Sequence, residues 1–346
     1  MPPASPAPPL PPELDRRLRE MPKVELHVHL EGAMDADAVW AMAERNGTPL
    51  PAASIDEWRS FYAFRDFDHF ITVYTAAARA MRTPEDWAFM AERFCAGQAA
   101  QHVVYTEAFL SASLMLQTLP PAVLVDALAA GVAAGEARHG VRVRFIPDIA
   151  RHVPDTQRAV LDFVSLGHER GLFLGLGLGG PEVGFPPELF RETYAEARRR
   201  GLRVVAHAGE TVGAAGVRGA LEALGAERIG HGVRVLEDPA LVELARARGV
   251  PFEVCPTSNY RLKVVPEGAP HPIRAMVDAG LLCTVNSDDP PMFGTTLVDE
   301  YRRLARQGFA WDELWALNAN ALGAAFLGDA ERAAYRARFD AWRATA

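Results

Sequence analysis

The sequence predicts a single-domain (β/α)8 TIM barrel. Eight short apolar or β-branched runs recur along the chain, and a longer helical pattern follows each run, which is typical of parallel strands joined by crossover helices. The first run lacks the glycine-rich phosphate turn that the alternative, a doubly wound open sheet, leads us to expect. The predicted strands are Lys23–His29, His102–Phe109, Val141–Pro147, Leu172–Leu178, Arg203–His207, Arg228–His231, Pro251–Cys255 and Leu281–Asn286.

The segments between these runs show helix-end signals. Thr83 offers an N-cap side chain, Pro84 suits the first helical position, and Glu85 and Asp86 place acids in the first turn. Residues 187–200 carry apolar side chains near helical spacing, before a glycine ends the pattern. We interpret the glycines at 175–180 as the end of strand four, where the backbone can approach a ligand.

Composition argues against several classes of partner. The 346 residues carry a formal net charge of -8, and no basic run exceeds the three arginines at 198–200, so DNA or RNA is not an expected partner. A hydrophobic content of 49% allows a sizeable core. The three isolated cysteines, Cys95, Cys255 and Cys283, fit buried packing in a reduced, cytoplasmic protein.

The N-terminal segment differs in composition from the rest of the chain. Seven of the first twelve residues are proline, so we predict a disordered or polyproline-like extension over 1–13 and the barrel domain over 14–346. The segment lacks the basic start and apolar centre of a signal peptide, and no run of 18 apolar residues occurs. The sequence therefore predicts a soluble, cytoplasmic protein without membrane contact.

Polar side chains gather where the predicted strands end. In ELHVHLEG, His27 and His29 are two residues apart and face the same side of an extended strand. His207 ends strand five, and two aspartates follow strand eight. Each motif alone has a structural interpretation, such as a core histidine or a turn before proline. In a barrel, however, all of them meet at the C-terminal mouth, which predicts a metal site of three histidines and one aspartate.

This donor set suits one Zn²⁺ ion with a water completing its coordination, although iron or manganese fits the same residue types. Related barrels with two metals bridge them by a modified lysine or a glutamate at the end of strand four. Here that position reads Gly177-Leu178-Gly179-Gly180, which offers no bridging side chain. The sequence therefore predicts a single metal ion per chain.

The motifs ELHVHLEG, HAGE, RIGHG, CPTSN and NSDDP, in this order and at these strand ends, resemble those of the adenosine/adenine deaminase family. The resemblance covers residues 20–330. It implies the barrel fold and hydrolytic removal of the 6-amino group of a purine, with release of ammonia. The metal ligands that it implies are His27, His29, His207 and Asp288.

The resemblance also implies roles for other residues. Glu210 donates a proton to purine N1, and His231 orients or deprotonates the water and stabilises developing charge. The Asp289 carboxyl hydrogen-bonds N7, and the peptide N–H of Gly180 contacts N3. The substrate-contacting residues on this basis are His29, Glu31, Gly180 and Asp289.

The aromatic segment 61–74 has two interpretations. Its pattern fits a helix that packs an apolar stripe on the barrel. In the resembled family this region gates the pocket, so Phe64 and Phe67 are candidates to cover the purine and exclude water.

The motifs give differing indications of which purine is the substrate. Free-adenine members commonly show DHG, CPLSN and Ser-Ser-Glu, whereas this chain has GHG, CPTSN and Gly-Gly-Pro-Glu, which favours a purine nucleoside. Glu31 replaces the aspartate that holds the 5′-hydroxyl in adenosine deaminases, which indicates a 5′-altered substrate. The resemblance extends to deaminases of 6-aminodeoxyfutalosine, an intermediate of an alternative menaquinone biosynthesis pathway. The benzoate of that substrate needs a cation, for which Arg65 and Arg151 are candidates.

Three alternatives remain open at this point. Free adenine is the alternative substrate. A metal-dependent esterase or phosphotriesterase shares the His-x-His start but favours a bridging ligand on strand four. The third alternative is a non-catalytic zinc-containing binding protein. In such a protein we expect the proton-donating acid or the water-binding residues to be replaced, whereas Glu210, His231 and Asp289 are all present. The sequence leaves the oligomeric state open.

Overall fold

Eight parallel strands pair in chain order in the computed structural model, which describes residues 9–345. They are β1 (Lys23–Glu25), β2 (Val103–Leu110), β3 (Arg142–Ala150), β4 (Gly175–Gly179), β5 (Arg203–Ala208), β6 (Arg228–His231), β7 (Pro251–Val254) and β8 (Leu282–Val285). A parallel bridge between Val28 and Asp288 links the segments that follow β1 and β8. The bridge brings the two edges of the sheet together, and the predicted (β/α)8 TIM barrel is confirmed.

Helices occupy the connections and the C-terminal segment. They are α1 (Pro12–Glu20), α2 (Ala36–Asn46), α3 (Ile55–Ser60), α4 (Phe67–Arg79), α5 (Pro84–Ala100), α6 (Ala112–Met115), α7 (Pro121–His139), α8 (Gln157–Glu169), α9 (Arg191–Arg199), α10 (Ala214–Gly219), α11 (Pro239–Arg248), α12 (Pro256–Arg261), α13 (Ile273–Asp278), α14 (Pro290–Phe293), α15 (Leu297–Arg306), α16 (Trp311–Ala324) and α17 (Asp329–Arg343). Between residues 9 and 345, no helix combines the length and apolarity needed to cross a membrane.

The helix-start signals read from the sequence have local causes. Thr83 caps α5, and its side chain and that of Asp86 each accept the other's backbone N–H, which forms a capping box. At the N-terminus, α1 begins at Pro12, two residues before the predicted domain boundary, because proline is tolerated in the first turn of a helix. Residues 1–8 of the predicted extension lie outside the described residues.

Strand β1 is shorter than predicted. It ends at Glu25 rather than at His29, because the Asn286 side-chain oxygen accepts the backbone N–H groups of Leu26 and His27 at 2.9 and 3.1 Å. The chain stays extended beyond this point, and the N–H of His29 donates to the carbonyl oxygen of Asp288 at 2.8 Å. The His-x-His motif is therefore held by residues that follow β8, directly at the closure of the barrel.

A buried charge network fills the barrel interior below the mouth. The Arg228 guanidinium donates to Glu253 at 2.6 Å and to Glu107 at 2.5 Å, and all three side chains are at most 1% exposed. Glu107 also accepts the Tyr105 hydroxyl at 2.9 Å and the Phe326 N–H at 2.6 Å. The Arg228 cation thus lies between two buried carboxylates.

Arg228→Met is expected to lower the free energy of unfolding by about 3–5 kcal/mol, because it leaves Glu107 and Glu253 buried without their cation. Denaturant unfolding followed by circular dichroism measures this loss. Arg218→Met is the control, because Arg218 pairs with Glu222 and Asp238 at the surface, where an ion pair contributes little. Equal effects of the two substitutions would contradict the role of Arg228.

Candidate active site

The four predicted metal ligands converge at the C-terminal mouth of the barrel. His27 and His29 follow β1, His207 lies in β5, and Asp288 follows β8. The Nε2 atoms of His29 and His207 are 3.2 Å apart, and Asp288 Oδ1 lies 3.4 Å from the Nε2 atoms of both His27 and His29. We call this group, His27, His29, His207 and Asp288, the histidine–aspartate cluster.

Hydrogen bonds outside the cluster orient two of its imidazoles. His27 Nδ1 lies 3.0 Å from the Glu253 carboxylate, and His207 Nδ1 lies 2.8 Å from the carbonyl oxygen of Leu178. Because both partners are acceptors, each Nδ1 carries a proton, and Nε2 is the nitrogen of each ring that faces the cluster. His27 Nε2 has no hydrogen-bond partner among residues 9–345.

The charges of the cluster suit a cation. Burial lowers the pKa of His29, and burial together with neighbouring histidines lowers that of His207 well below its ordinary value, so both rings are neutral. Burial opposes the charged form of His27, but Asp288 and Glu253 outweigh it and raise the pKa of His27 to about 10. The carboxylates thus favour positive charge at this position, beside the two neutral imidazoles of His29 and His207, and this donor set fits a divalent metal ion.

Two further donor sets in the described chain overlap this cluster. One combines His27 and Asp288 with His231 and Cys255, and the other combines His29, Asp288 and Asp289. Burial raises the pKa of the Cys255 thiol well above its ordinary value, and the thiol faces the Glu253 carbonyl oxygen at 3.6 Å. A protonated thiol is a poor metal ligand, which argues against the set that includes Cys255. His27, His29 and His207 form a third set, and Asp288 lies 3.4 Å from two of them.

Glu210 lies in the loop after β5 and is held there by a second carboxylate. Glu182 accepts the backbone N–H groups of Gly209, Glu210 and Thr211 at 2.7–2.8 Å. The Glu210 side chain is buried, and burial together with Asp288 and Glu182 raises its pKa well above the ordinary value. This shift favours the protonated carboxyl group, which is the form that can donate a proton.

Glu182→Gln is expected to lower kcat by about 10-fold or more, because hydrogen bonds to a charged acceptor contribute about 1.5–3 kcal/mol and about 1.4 kcal/mol corresponds to tenfold in rate. Metal content should not change, since Glu182 contacts the loop and not the cluster. Glu188→Gln, at an exposed position of the same connection, is the control. Unchanged kcat in Glu182→Gln would contradict this role of Glu182.

Two of the predicted residues have a strained backbone conformation. His231 and Asp288 have φ values of 58° and 61°, in the left-handed region that side chains other than glycine rarely adopt. Such strain is concentrated at functional sites. Gly180 has a φ of 86°, so its backbone conformation alone favours glycine at this position.

Asp289 depends on a neighbouring glycine of the first motif. A Cβ at Gly32 would lie 1.6 Å from Asp289 Oδ1, so the last residue of ELHVHLEG leaves space for this carboxyl. Burial and the adjacent Asp288 raise the pKa of Asp289 well above its ordinary value. Its Oδ1 has no hydrogen-bond partner in the described part of the chain, and Asp289 lines the cavity beside the cluster.

One cavity at the mouth contains most of the predicted site. Its lining includes His29, Gly180, His207, Glu210, His231, Asp288 and Asp289. Helix α4 supplies an aromatic and apolar wall through Phe67, Phe70, Ile71 and Tyr74. The predicted cover segment thus both packs on the barrel and contributes Phe67 to the cavity, whereas Phe64 packs against Phe70 and Phe293.

Three residues invoked for a 5′-extended substrate lie elsewhere. The Glu31 carboxylate accepts the Ser111 N–H at 2.8 Å and the Tyr74 hydroxyl at 3.3 Å, and it does not line the cavity. Arg151 is fully buried and donates to the carbonyl oxygens of Phe185 and His207. Arg65 is exposed, and neither arginine lines the cavity.

Asp148 lines the cavity but was not predicted from the sequence. Strand β3 extends to Ala150, three residues past its predicted end, and this extension carries Asp148 into the mouth. Burial raises the pKa of its carboxyl well above the ordinary value. The detectable signal was a single acid inside the apolar run IPDIA.

A (β/α)8 barrel with such a cluster at its mouth is the architecture of metal-dependent hydrolases. Within this class, the chain belongs to the adenosine deaminase family, whose sequence model matches residues 22–342.

Individual relatives agree with this assignment. An adenine deaminase from Streptomyces coelicolor is 40% identical over 94% of this chain and 97% of its own. The crystal structure of an adenine deaminase from Arthrobacter aurescens superposes with a TM-score of 0.87 at 35% identity, covering 93% of this chain and 99% of that one. An amidohydrolase from Burkholderia ambifaria with bound zinc gives a TM-score of 0.88 at 29% identity, covering 97% and 95%.

Proposed function

We propose that this protein hydrolyses the 6-amino group of free adenine and releases ammonia. The observation that carries the proposal is its similarity, over nearly the whole chain, to proteins named adenine deaminase. These relatives favour the free-adenine alternative over the nucleoside that the GHG and CPTSN motifs indicated. They give no support to 6-aminodeoxyfutalosine as substrate or to a role in menaquinone biosynthesis.

The cavity chemistry supports a small neutral base. Among residues 9–345, no lysine or arginine lines the cavity, so a benzoate would lack a charged partner there. The wall formed by Phe67, Phe70 and Ile71 suits the face of a purine ring, because aromatic and apolar side chains gain from covering it.

We further propose that the histidine–aspartate cluster holds one zinc ion. The converging lone pairs, the carboxylate and the zinc-bound relative support this assignment. When bound, zinc supplies a water molecule whose pKa is lowered towards neutrality.

The remaining residues act on the purine. Glu210, whose protonated form is favoured by burial, donates its proton to N1, which gains negative charge as C6 is attacked. The Asp289 carboxyl, also protonated, donates a hydrogen bond to N7. His231 hydrogen-bonds the attacking oxygen, and the N–H of Gly180 faces N3. His29, a member of the cluster, also lines the cavity.

The proposal is tested by comparing kcat/KM for adenine, adenosine and 6-aminodeoxyfutalosine with zinc-loaded protein. Adenine is expected to be preferred by tenfold or more, about 1.4 kcal/mol of transition-state stabilisation. Preference for adenosine by the same factor would overturn the free-base assignment, and preference for 6-aminodeoxyfutalosine would restore the 5′-extended substrate. Ammonia release from none of the three would overturn the deaminase assignment.

A further inference from the structure

A chain of buried polar side chains lies behind His231, outside the histidine–aspartate cluster. Asn259 in α12 stands between His231 and His271, and none of the three is more than 2% exposed. His231 contacts Asn259 at 3.3 Å, and Asn259 contacts His271 at 3.1 Å. The roles proposed above for the acid, the cluster and the substrate contacts make no use of Asn259 or His271.

A backbone amide determines which atoms donate and which accept in this series of hydrogen bonds. The N–H of Ile273 donates to His271 Nδ1 at 3.1 Å, and an amide nitrogen can only donate. His271 Nδ1 is therefore unprotonated. Burial, together with the charge of Arg303, lowers the pKa of His271 to about 3, so the ring is neutral and its one proton is on Nε2.

The same reasoning determines which atom donates in the hydrogen bond between Asn259 and His231. His271 Nε2–H donates to Asn259 Oδ1, and the flipped amide would place two donors against each other. Asn259 Nδ2 therefore faces His231 Nδ1 as a donor. In its neutral form, His231 then carries its proton on Nε2, on the side where Glu210 Oε2 lies 3.7 Å and Asp288 Oδ2 4.0 Å away.

We propose that Asn259 and His271 are positioning residues that lock neutral His231 in its Nε2–H tautomer. In this tautomer His231 donates a hydrogen bond to the oxygen that attacks C6, and it presents no lone pair with which to deprotonate the water. The proton on Nε2 stays there throughout attack, so His231 stabilises developing negative charge rather than acting as general base. The proposal deepens the deaminase function proposed above and depends on it.

Asn259→Asp tests the proposal with almost no change of shape. A carboxylate still accepts from His271 Nε2–H, but it cannot donate to His231, so neutral His231 must carry its one proton on Nδ1 instead of Nε2. Nitrogen-15 NMR of histidine-labelled, zinc-loaded protein separates protonated from unprotonated ring nitrogens, and His231 is assigned by the signal lost in His231→Gln. The expected result is a protonated Nε2 and bare Nδ1 in the unmutated protein, and a protonated Nδ1 in Asn259→Asp.

Kinetics provide the second measurement. Asn259→Asp should lower kcat for adenine by about 100-fold or more, as for removal of one oxyanion donor, with KM and zinc content unchanged. A protonated Nδ1 in the unmutated protein, or unchanged kcat in Asn259→Asp, would overturn the proposal. The NMR result does not require turnover, so the expected tautomer in a protein that deaminates no purine would remove the proposed function and leave the tautomer assignment intact.

A pair of variants at His271 covers the case in which Asn259→Asp fails to fold. His271→Gln can accept from Ile273 through its oxygen and donate to Asn259 through its nitrogen, whereas His271→Leu can do neither. We expect His271→Leu to lower kcat by about tenfold or more and His271→Gln to recover most of that loss. Equal kcat in the two variants would contradict the proposed role of the hydrogen bonds that link His271 to His231 through Asn259.

Discussion

Glu210→Gln is expected to lower kcat for adenine by about 100-fold or more, in line with loss of a general acid. The amide keeps the shape of the side chain but cannot transfer the proton that N1 needs as C6 is attacked. Zinc content should be unchanged, because Glu210 is not in the histidine–aspartate cluster. KM for adenine should change little, since the cavity walls stay in place. Steady-state ammonia release and elemental analysis measure these quantities.

The matched control for this substitution is Glu222→Gln, which makes the same chemical change at a half-exposed position paired with Arg218. It should leave kcat unaltered. Near-normal turnover in Glu210→Gln would remove Glu210 from the mechanism and leave the zinc assignment untouched. Loss of zinc from this variant would instead mean that Glu210 belongs to the metal site.

His207→Ala is expected to remove both zinc and activity. Loss of a group that merely orients a metal ligand typically costs 10–100-fold in affinity, so loss of a ligand should lower zinc affinity by at least about 100-fold. The His29 Nε2 atom would then lose its neighbour at 3.2 Å across the cluster. Zinc titration in a competing chelator measures the affinity, and ammonia release measures the activity.

His139→Ala, at the C-terminal end of α7, is the control for a histidine outside the site and should retain zinc and activity. The unmutated protein should contain one equivalent of zinc. Two equivalents, both required for activity, would contradict the single-metal site. Full zinc binding by His207→Ala would point instead to the donor set that includes His231 and Cys255.

The sequence by itself determined the barrel and most of the candidate site. Alternating strand and helix patterns are local, because periodicity and capping depend on residues a few positions apart. Once eight strands were placed in a barrel, parallel topology required their C-terminal ends to share one mouth. His27, His29, His207 and Asp288 could therefore be brought together from their positions at strand ends, although hundreds of residues separate the first from the last.

Strand ends were less predictable where distant side chains intervene. The early end of β1 depends on the Asn286 side chain, which lies about 260 positions away in the sequence and takes the N–H groups of Leu26 and His27. The late end of β3 brought in Asp148, which a strand ending at Pro147 had left outside the site. Periodicity within one segment carries no information about these long-range contacts.

Only the tertiary structure decided the partners of the buried polar groups. Glu31 lies in the first motif and Arg151 follows β3, and the sequence suggested that they meet substrate. In the structure both form hydrogen bonds with protein groups. The links from His27 to Glu253 and from His231 through Asn259 to His271 likewise join residues from separate elements. A buried polar group must find a hydrogen-bond partner, and which one it finds depends on three-dimensional proximity rather than on residue type or spacing.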